Sequence, residues 1–179
     1  MSKPILIFEP MTEAHIEPLT AIMVRAFDDD ARRYRNCEHD GPPGYDDGSF
    51  LRKWGLESGA AAFALYREGQ LVGGIILFFS PDGQEGVLGC LFIDSACHGK
   101  GLGRAAWFQA EEKYPLVRTW RTETPAISYR NHCFYINTCG FRVESVSDPH
   151  DPMQAQFQMV CFCPWNMSGC CLSAVCWCC

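Results

Sequence analysis

The stretch Cys97–Ala105, CHGKGLGRA, places three glycines at alternating positions with basic residues among them. An apolar run, Val87–Ile93, precedes it, and a segment with helical spacing, Leu102–Tyr114, follows it. Backbone N–H groups at the start of a helix bind anions, and glycine lets a phosphate approach closely. The sequence therefore predicts a phosphate-binding loop, or else a tight strand-to-helix turn without a ligand.

Two familiar phosphate loops do not fit this stretch. A nucleoside-triphosphate loop reads G-x-x-x-x-G-K-[ST], whereas Gly101 follows Gly99-Lys100 here. A dinucleotide loop reads G-x-G-x-x-G within βαβ units, whereas Gly99–Gly103 reads G-x-G-x-G and lacks that context. A third arrangement remains, with a pyrophosphate on the amides of a helix start and with Arg104 adding positive charge in its first turn.

The order of predicted elements around the loop indicates the fold class. We predict strands at 5–8, 61–66, 72–79, 87–93, 117–122, 141–146 and 156–162, and helices at 12–30, 49–57, 102–114 and 128–139. The first helix would bury a stripe of apolar side chains and end at Asp28–Asp30, and the second would turn Phe50, Leu51 and Trp54 inward. In the third helix, the inward stripe would consist of Leu102, Ala105, Ala106 and Ala110. Because strands and helices do not alternate, we expect an α/β (α+β) fold with a mixed, mostly antiparallel sheet.

The length, charge and apolar runs of the chain indicate which kinds of binding partner are expected. A chain of 179 residues predicts one domain. Its net charge of -6 disfavours nucleic acid, which requires a basic surface. The longest apolar run, Leu71–Phe79, is too short to span a membrane, and no signal peptide is recognisable. These features predict a cytoplasmic protein with no nucleic-acid or membrane partner.

Cysteine is unevenly distributed. Of 12 cysteines, seven fall within Cys161–Cys179, a segment without charged side chains. Their spacings match no standard zinc pattern, and the segment has no histidine. We therefore predict no metal site, a domain over 1–163, and a Cys-rich, poorly ordered tail over 164–179.

Two motifs at a suitable separation resemble a known family. His98–Gly103 resembles the [QRH]-x-x-G-x-G/A loop of the GNAT acyltransferases, and Asn131–Phe141 resembles their N-x-x-A-x-x-F-Y-x-x-x-G-F signature. Gly41–Asp46 and Arg121–Pro125 look like features of a bacterial-type branch. The resemblance covers roughly 5–163 and departs in two spacings. The spacing from Asn131 to Phe134-Tyr135 is shorter than usual, and four residues rather than three separate Tyr135 from Gly140.

The resemblance implies a GNAT-like sheet of about seven strands flanked by about four helices. It also implies acetyl-coenzyme A as co-substrate of an N-acetyltransferase. The coenzyme's pantetheine arm would pair with the strand at Leu91, Phe92 and Ile93, and Asn131 would contact the arm. The pyrophosphate would lie on the backbone amides of His98, Gly99, Lys100, Gly101, Leu102, Gly103 and Arg104.

Direct transfer to an amine requires a base and an acid. In the family, the tyrosine matching Tyr135 faces the coenzyme sulfur, so Tyr135 is the candidate acid, with a core aromatic as its other interpretation. Glu123 is the candidate base, or else a strand-end charge in solvent or paired with Arg121. Asp94 and His132 are weaker candidates for the base. The other interpretation of Asp94 is a turn residue, and that of His132 is a surface histidine.

The acceptor is expected to be an amine of a small molecule or peptide. Tyr45, Asp46 and Asp47 would receive a cationic amine, or else form a solvated acidic loop. Three alternatives stay open: a coenzyme-binding module without turnover, a thiol- or metal-binding protein centred on the tail, and a homodimer through the sheet or last strands.

Overall fold

The computed structural model describes residues 4–163, which form one sheet with helices on both faces. The strands are β1 (Ile7–Pro10), β2 (Ala61–Arg67), β3 (Gln70–Phe79), β4 (Glu85–Ile93), β5 (Thr119–Pro125), β6 (Arg142–Ser147) and β7 (Gln156–Phe162). The helices are α1 (Glu13–Tyr34), α2 (Ser49–Leu51), α3 (Leu102–Lys113) and α4 (Tyr129–His132). Helices α2 and α4 continue as π-helical turns at Arg52–Glu57 and Cys133–Thr138.

The seven strands lie in the order β1-β2-β3-β4-β5-β7-β6. Strands β4 and β5 pair in parallel, and every other neighbouring pair is antiparallel. This mixed, mostly antiparallel sheet confirms the predicted fold class.

Two apolar cores cover opposite faces of the sheet. On one face, α3 and the π-helical turn after α4 pack on the strands, with Trp107, Trp120 and Phe141 almost fully buried. On the other face, α1 and α2 bury Leu19, Met23 and Leu51, together with other apolar side chains, against β2, β3 and β4. The apolar stripe predicted for α3 is confirmed, since Leu102, Ala105, Ala106 and Ala110 are all buried.

Several predicted boundaries differ from the structure. Helix α1 continues past Asp28–Asp30 to Tyr34, because these aspartates find partners instead of ending the helix. Pro18 lies inside α1. The prediction that Trp54 points inward is wrong, because it is 38% exposed. Within residues 4–163, no helix combines the length and apolar character that a membrane crossing requires.

The close packing of Gly86 against Trp120 gives a test of the sheet. A Cβ atom at Gly86 would lie 2.5 Å from the Trp120 ring, which is fully buried. We expect Gly86→Ala to lower the free energy of unfolding by about 1–3 kcal/mol, since a buried indole has no room to move. The measurement is urea unfolding followed by circular dichroism.

Gly103→Ala is the matched control for this test. A Cβ at Gly103 would meet Phe134 at an ordinary contact distance of 3.4 Å. Because Gly103 is helical, alanine should leave stability within about 1 kcal/mol of the wild type, or raise it. Equal effects of the two substitutions would contradict the described packing.

Candidate functional site

The site begins where β4 leaves β5. Three residues of β4 pair with β5, namely Glu85, Gly86 and Val87. From Leu88 to Ile93, no strand of the described chain pairs with β4 on this side. Among the described residues of β5, Thr122 bonds to this part of β4, donating its hydroxyl to the Leu88 carbonyl at 2.9 Å. This edge of β4 can therefore accept another extended chain.

A bulge lies at the point of parting. Ile76 of β3 pairs with Cys90 and Leu77 pairs with Leu88, so Gly89 is an extra residue in β4. A bulge bends its strand and increases the local twist, which turns β4 away from β5. Glycine is needed here, because a Cβ at Gly89 would lie 2.5 Å from the Phe78 ring.

The glycine loop follows the free edge directly. Gly99 and Gly101 have φ angles of +74° and +71°, which side chains rarely adopt. A Cβ at either position would meet nothing within 4 Å, so the loop is open to solvent. Gly101 is the N-cap residue of α3, whose first amides lack helical acceptors, and Arg104 is exposed in the first turn of the helix. This geometry fits a phosphate at the start of α3.

His98 connects the loop to the free edge of β4. Its Nε2 lies 3.0 Å from the Ile93 carbonyl, and its Nδ1 lies 3.3 Å from the guanidinium of Arg130. A carbonyl can only accept and a guanidinium can only donate, so the neutral tautomer carries its proton on Nε2. His98 therefore positions the loop and has no lone pair free for an acceptor amine.

Arg130 joins α4 to the end of α1. Its guanidinium donates to Asp29 at 2.8 Å and forms an ion pair with Asp30, while its backbone N–H donates to the Tyr34 hydroxyl at 3.0 Å. Burial opposes ionisation of Asp29, but hydrogen bonds from Arg33 and Arg130 leave its pKa below the usual value. Burial dominates at Asp30 and raises its pKa. The network holds α1, the loop and α4 together.

Tyr135 is placed by the π-helical turn that continues α4. The side chain is buried, and its ring packs edge-on against Phe134 and Phe141. Burial raises the pKa of its hydroxyl, and the nearby thiol of Cys90 adds to this effect. A hydrogen bond with Thr122 acts in the opposite direction. Since Cys90 and Thr122 lie on β4 and β5 beyond the parting, the hydroxyl faces the gap between these strands.

The π-helical turn also explains one departure from the family motif, the longer spacing from Tyr135 to Gly140. A π-helical turn contains one more residue than an α-helical turn. The additional residue between Tyr135 and Gly140 is accommodated there, and Gly140 ends the segment with a φ of +79° as its position predicts. Tyr135 therefore keeps an inward orientation.

Glu123 is not brought into contact with Tyr135. It is exposed and lies on the opposite face of β5 from the buried Thr122 and Thr124. Its carboxylate accepts a hydrogen bond of 2.7 Å from the Gln158 amide, whereas Arg121 pairs with Glu144. The structure thus shows an exposed Glu123 charge that is not paired with Arg121. A proton can reach this carboxylate from the gap only around the edge of β5 or through water.

The remaining candidates have structural partners. Asn131 donates to Thr124 at 3.3 Å, which places it beside β5. Asp94 accepts from Arg25 and from the Ala96 amide, and the hydrogen bond from Arg25 contributes most to its lowered pKa. The His132 ring lies 3.0 Å from the Pro125 carbonyl. Leu91, Phe92 and Ile93 form the last part of the free edge.

The loop between α1 and α2 is anchored rather than free. Tyr45 is buried and donates to Asp28 at 2.9 Å, and burial raises the pKa of its hydroxyl to about 12. Asp47 accepts from the Ser49 amide at the start of α2, while Asp46 is exposed. Tyr45 therefore has a structural role, and of the three residues predicted to receive an amine, Asp46 and Asp47 face solvent.

The sequence did not indicate the roles of Arg130, Thr122 or Trp54. The run Asp28–Asp30 was the available signal, since three adjacent carboxylates on a partly apolar helix require cationic or hydroxyl partners. Nothing local identifies Arg130 as that partner, 100 residues away from Asp30 in the chain. The predicted tail, 164–179, lies outside the described residues. Within residues 4–163, no three potential ligands converge as a metal site.

The chain is similar in sequence to proteins of a known family. The acetyltransferase (GNAT) family matches residues 23–141. The uncharacterised protein YrkN of Bacillus subtilis (strain 168) is 32% identical over 97 residues, which are 51% of this chain and 52% of YrkN. The chain thus spans about half the length of this curated relative.

Two solved structures share the fold. An acetyltransferase from Thermus thermophilus has a TM-score of 0.68 at 20% identity, over 91% of this chain and 100% of its own. The PaiA N-acetyltransferase of Thermoplasma acidophilum, solved in complex with coenzyme A, has a TM-score of 0.65 at 16% identity, over 90% of this chain and 99% of its own. Both likenesses concern the fold.

The ion pair between Arg130 and Asp30 can be tested by a double-mutant cycle. Arg130→Met leaves two carboxylates of α1 without their guanidinium, so we expect a loss of roughly 1–3 kcal/mol in the free energy of unfolding. Asp30→Asn should lower the free energy of unfolding less in the Arg130→Met background than in the wild type. Urea unfolding of the four proteins measures this coupling, and strictly additive losses would contradict it.

Proposed function

We propose that this chain, which belongs to the GNAT acetyltransferase family, transfers an acetyl group from acetyl-coenzyme A to a primary amine of a small molecule or peptide. The observation that carries the proposal is the free edge of β4 beyond Val87, with the glycine loop at its end and Tyr135 beside it. The coenzyme A bound to PaiA supports the choice of donor.

The free edge and the loop fit the two parts of the coenzyme. The pantetheine arm carries amide groups that can pair with the backbone of β4 at Leu91–Ile93, and Asn131, which lies beside β5, would contact the arm. The pyrophosphate fits the amides of His98–Arg104, because Gly99 and Gly101 leave open space in front of them. Lys100 and Arg104 are exposed and add positive charge there.

The reaction we propose is direct transfer within a ternary complex. The neutral amine nitrogen attacks the thioester carbonyl carbon, so that an N–C bond forms and the C–S bond breaks. The departing thiolate takes the proton of the Tyr135 hydroxyl, and the nitrogen loses a proton to Glu123 through water. A backbone N–H of Leu91–Ile93 stabilises the oxyanion that develops on the carbonyl.

The raised pKa of Tyr135 suits this role. A tyrosine that ionised near neutral pH would have no proton to give, whereas a buried hydroxyl with a raised pKa stays protonated. No cysteine needs to be acylated in this scheme. Burial also raises the pKa of the Cys90 thiol to about 12, so this neighbour of Tyr135 remains a neutral thiol.

Coenzyme binding at the loop can be tested by charge reversal. Arg104→Glu places a negative charge in the first turn of α3, and we expect acetyl-coenzyme A to bind roughly tenfold more weakly, or worse. Lys113→Glu, at the other end of α3, makes the same change in net charge and should bind as the wild type does. Isothermal titration calorimetry under a non-thiol reductant measures both variants. Equal affinities for Arg104→Glu and Lys113→Glu would place the coenzyme elsewhere.

The role of Tyr135 can be tested by removing its hydroxyl. We expect Tyr135→Phe to lower turnover by about 10²-fold or more while coenzyme affinity stays within about threefold. Tyr129→Phe is the control, because Tyr129 lies on α4 with 70% of its surface exposed. Acetylated amines are quantified by mass spectrometry, since the 12 cysteines would react with a thiol reagent. Equal turnover of the two variants would remove Tyr135 as the acid, and coenzyme binding without turnover in the wild type would favour the binding module.

A further inference from the structure

The face of the sheet opposite α3 is open beyond β4. Gly86 faces Trp120, which belongs to the apolar core between α3 and the sheet. The next residue, Val87, therefore faces the other side of the sheet. Val87 is in register with Arg121 of β5, which alternates with the buried Trp120 and Thr122. Since Tyr135 and α3 occupy the first face, an acceptor can approach the gap from this second face.

Three apolar side chains form a shelf on this open face. Phe78 of β3 pairs in register with Val87, and Trp54 packs edge-on against Phe78 with ring centroids 6.2 Å apart. Trp54 and Val87 are 38% and 40% exposed. Gly89 adds no side chain between this shelf and the gap. We call Trp54, Phe78 and Val87 the apolar shelf.

The apolar shelf leads to a negative charge. Val87 lies beside Arg121, and Glu123 is two residues further along β5, about 7 Å away on the same face. Arg121 is neutralised by Glu144, whereas Glu123 has only the uncharged Gln158 amide as a partner among the described residues. An ammonium group is therefore favoured at Glu123.

A positive charge lies at the other end of the apolar shelf. The Lys53 ammonium is 4.7 Å from the centre of the Trp54 ring. A second ammonium on an acceptor that reached across the shelf would be repelled there. The shelf and its two charged ends thus favour an acceptor with one amine and an apolar body.

Both π-helical turns of the described chain carry residues of this arrangement. One contains Tyr135 and the other contains Trp54. Such turns are frequent at functional sites, where they reorient a side chain. Here one turn directs Tyr135 into the gap, and the other leaves an indole exposed on the open face.

We propose that the acceptor is a small primary monoamine with an aromatic or alkyl body, which lies on the apolar shelf while the negative charge of Glu123 attracts its ammonium group to the edge of the gap. This inference rests on the proposed acetyl transfer and specifies its substrate class. Val87, the end of the apolar shelf nearest to Glu123, lies one strand and two residues away from it, about 8 Å. A phenylethyl or hexyl group on the amine is long enough to span that distance.

The test is acetylation of a panel of amines by the full chain, measured by mass spectrometry with saturating acetyl-coenzyme A. The probes are 2-phenylethylamine, hexylamine, ethanolamine, putrescine, spermidine and a hexapeptide with a free α-amine. We expect kcat/KM for 2-phenylethylamine and hexylamine to exceed that for putrescine and spermidine at least tenfold. Trp54→Ala should raise KM for 2-phenylethylamine roughly tenfold with a much smaller change in kcat.

Two further variants test whether the effects are specific to the apolar shelf and to the charge at its end. Leu116→Ala removes another exposed apolar side chain, 69% exposed and outside the apolar shelf, and should leave all rates unchanged. Lys53→Glu should increase kcat/KM for putrescine relative to hexylamine, because it replaces a repulsive charge with an attractive one. Equal losses in Leu116→Ala and Trp54→Ala would overturn the proposal.

Calorimetric binding of acetyl-coenzyme A distinguishes a failure of the proposed substrate class from a failure of the proposed acetyl transfer. If the coenzyme binds and the polyamines or the peptide are the preferred acceptors, the proposed substrate class is wrong and the proposed acetyl transfer is retained. If the coenzyme binds and no amine of the panel is acetylated, the substrate class is overturned. If the coenzyme does not bind, the proposed function fails and this inference fails with it.

Discussion

The parting of β4 from β5 is the constraint on which the rest of the structure depends. Two features fix its start, namely the packing of Gly86 under Trp120 and the hydrogen bond from Thr122 to Leu88. The bulge at Gly89 then bends β4 away. A polar strand edge is costly to leave without partners in a protein interior, so a gap of this kind is most useful where a ligand supplies the missing hydrogen bonds.

The helices are arranged around this gap. Helix α3 begins at the end of the free edge, where its unpaired amides and the glycines face solvent. Helix α4 reaches the same end through Arg130, which contacts α1 and lies beside His98. Because one guanidinium connects these elements, the loop that would bind phosphate and the turn that carries Tyr135 are held in one geometry.

Much of this could be predicted from the sequence, and the reasons differ between elements. The apolar stripes of α1 and α3, the glycine loop and the seven strands have local signals, and they were identified with small errors in their boundaries. The exposure of Trp54 was missed, because a helical period cannot reveal a π-helical turn. The Arg130 network, the side chains that meet on the open face and the direction of Glu123 depend on tertiary contacts, which no local pattern contains.

In the function that we propose, the edge of β4 and the glycine loop bind the coenzyme together. Amide hydrogen exchange of the full chain, followed by mass spectrometry with and without coenzyme A, tests it directly. We expect slower exchange in peptides that cover Leu88–Arg104 and in the Asn131–Gly140 segment, and no change in β1 and β2. Unchanged exchange at Leu88–Arg104 with saturating coenzyme, or slower exchange confined to other strands, would contradict it.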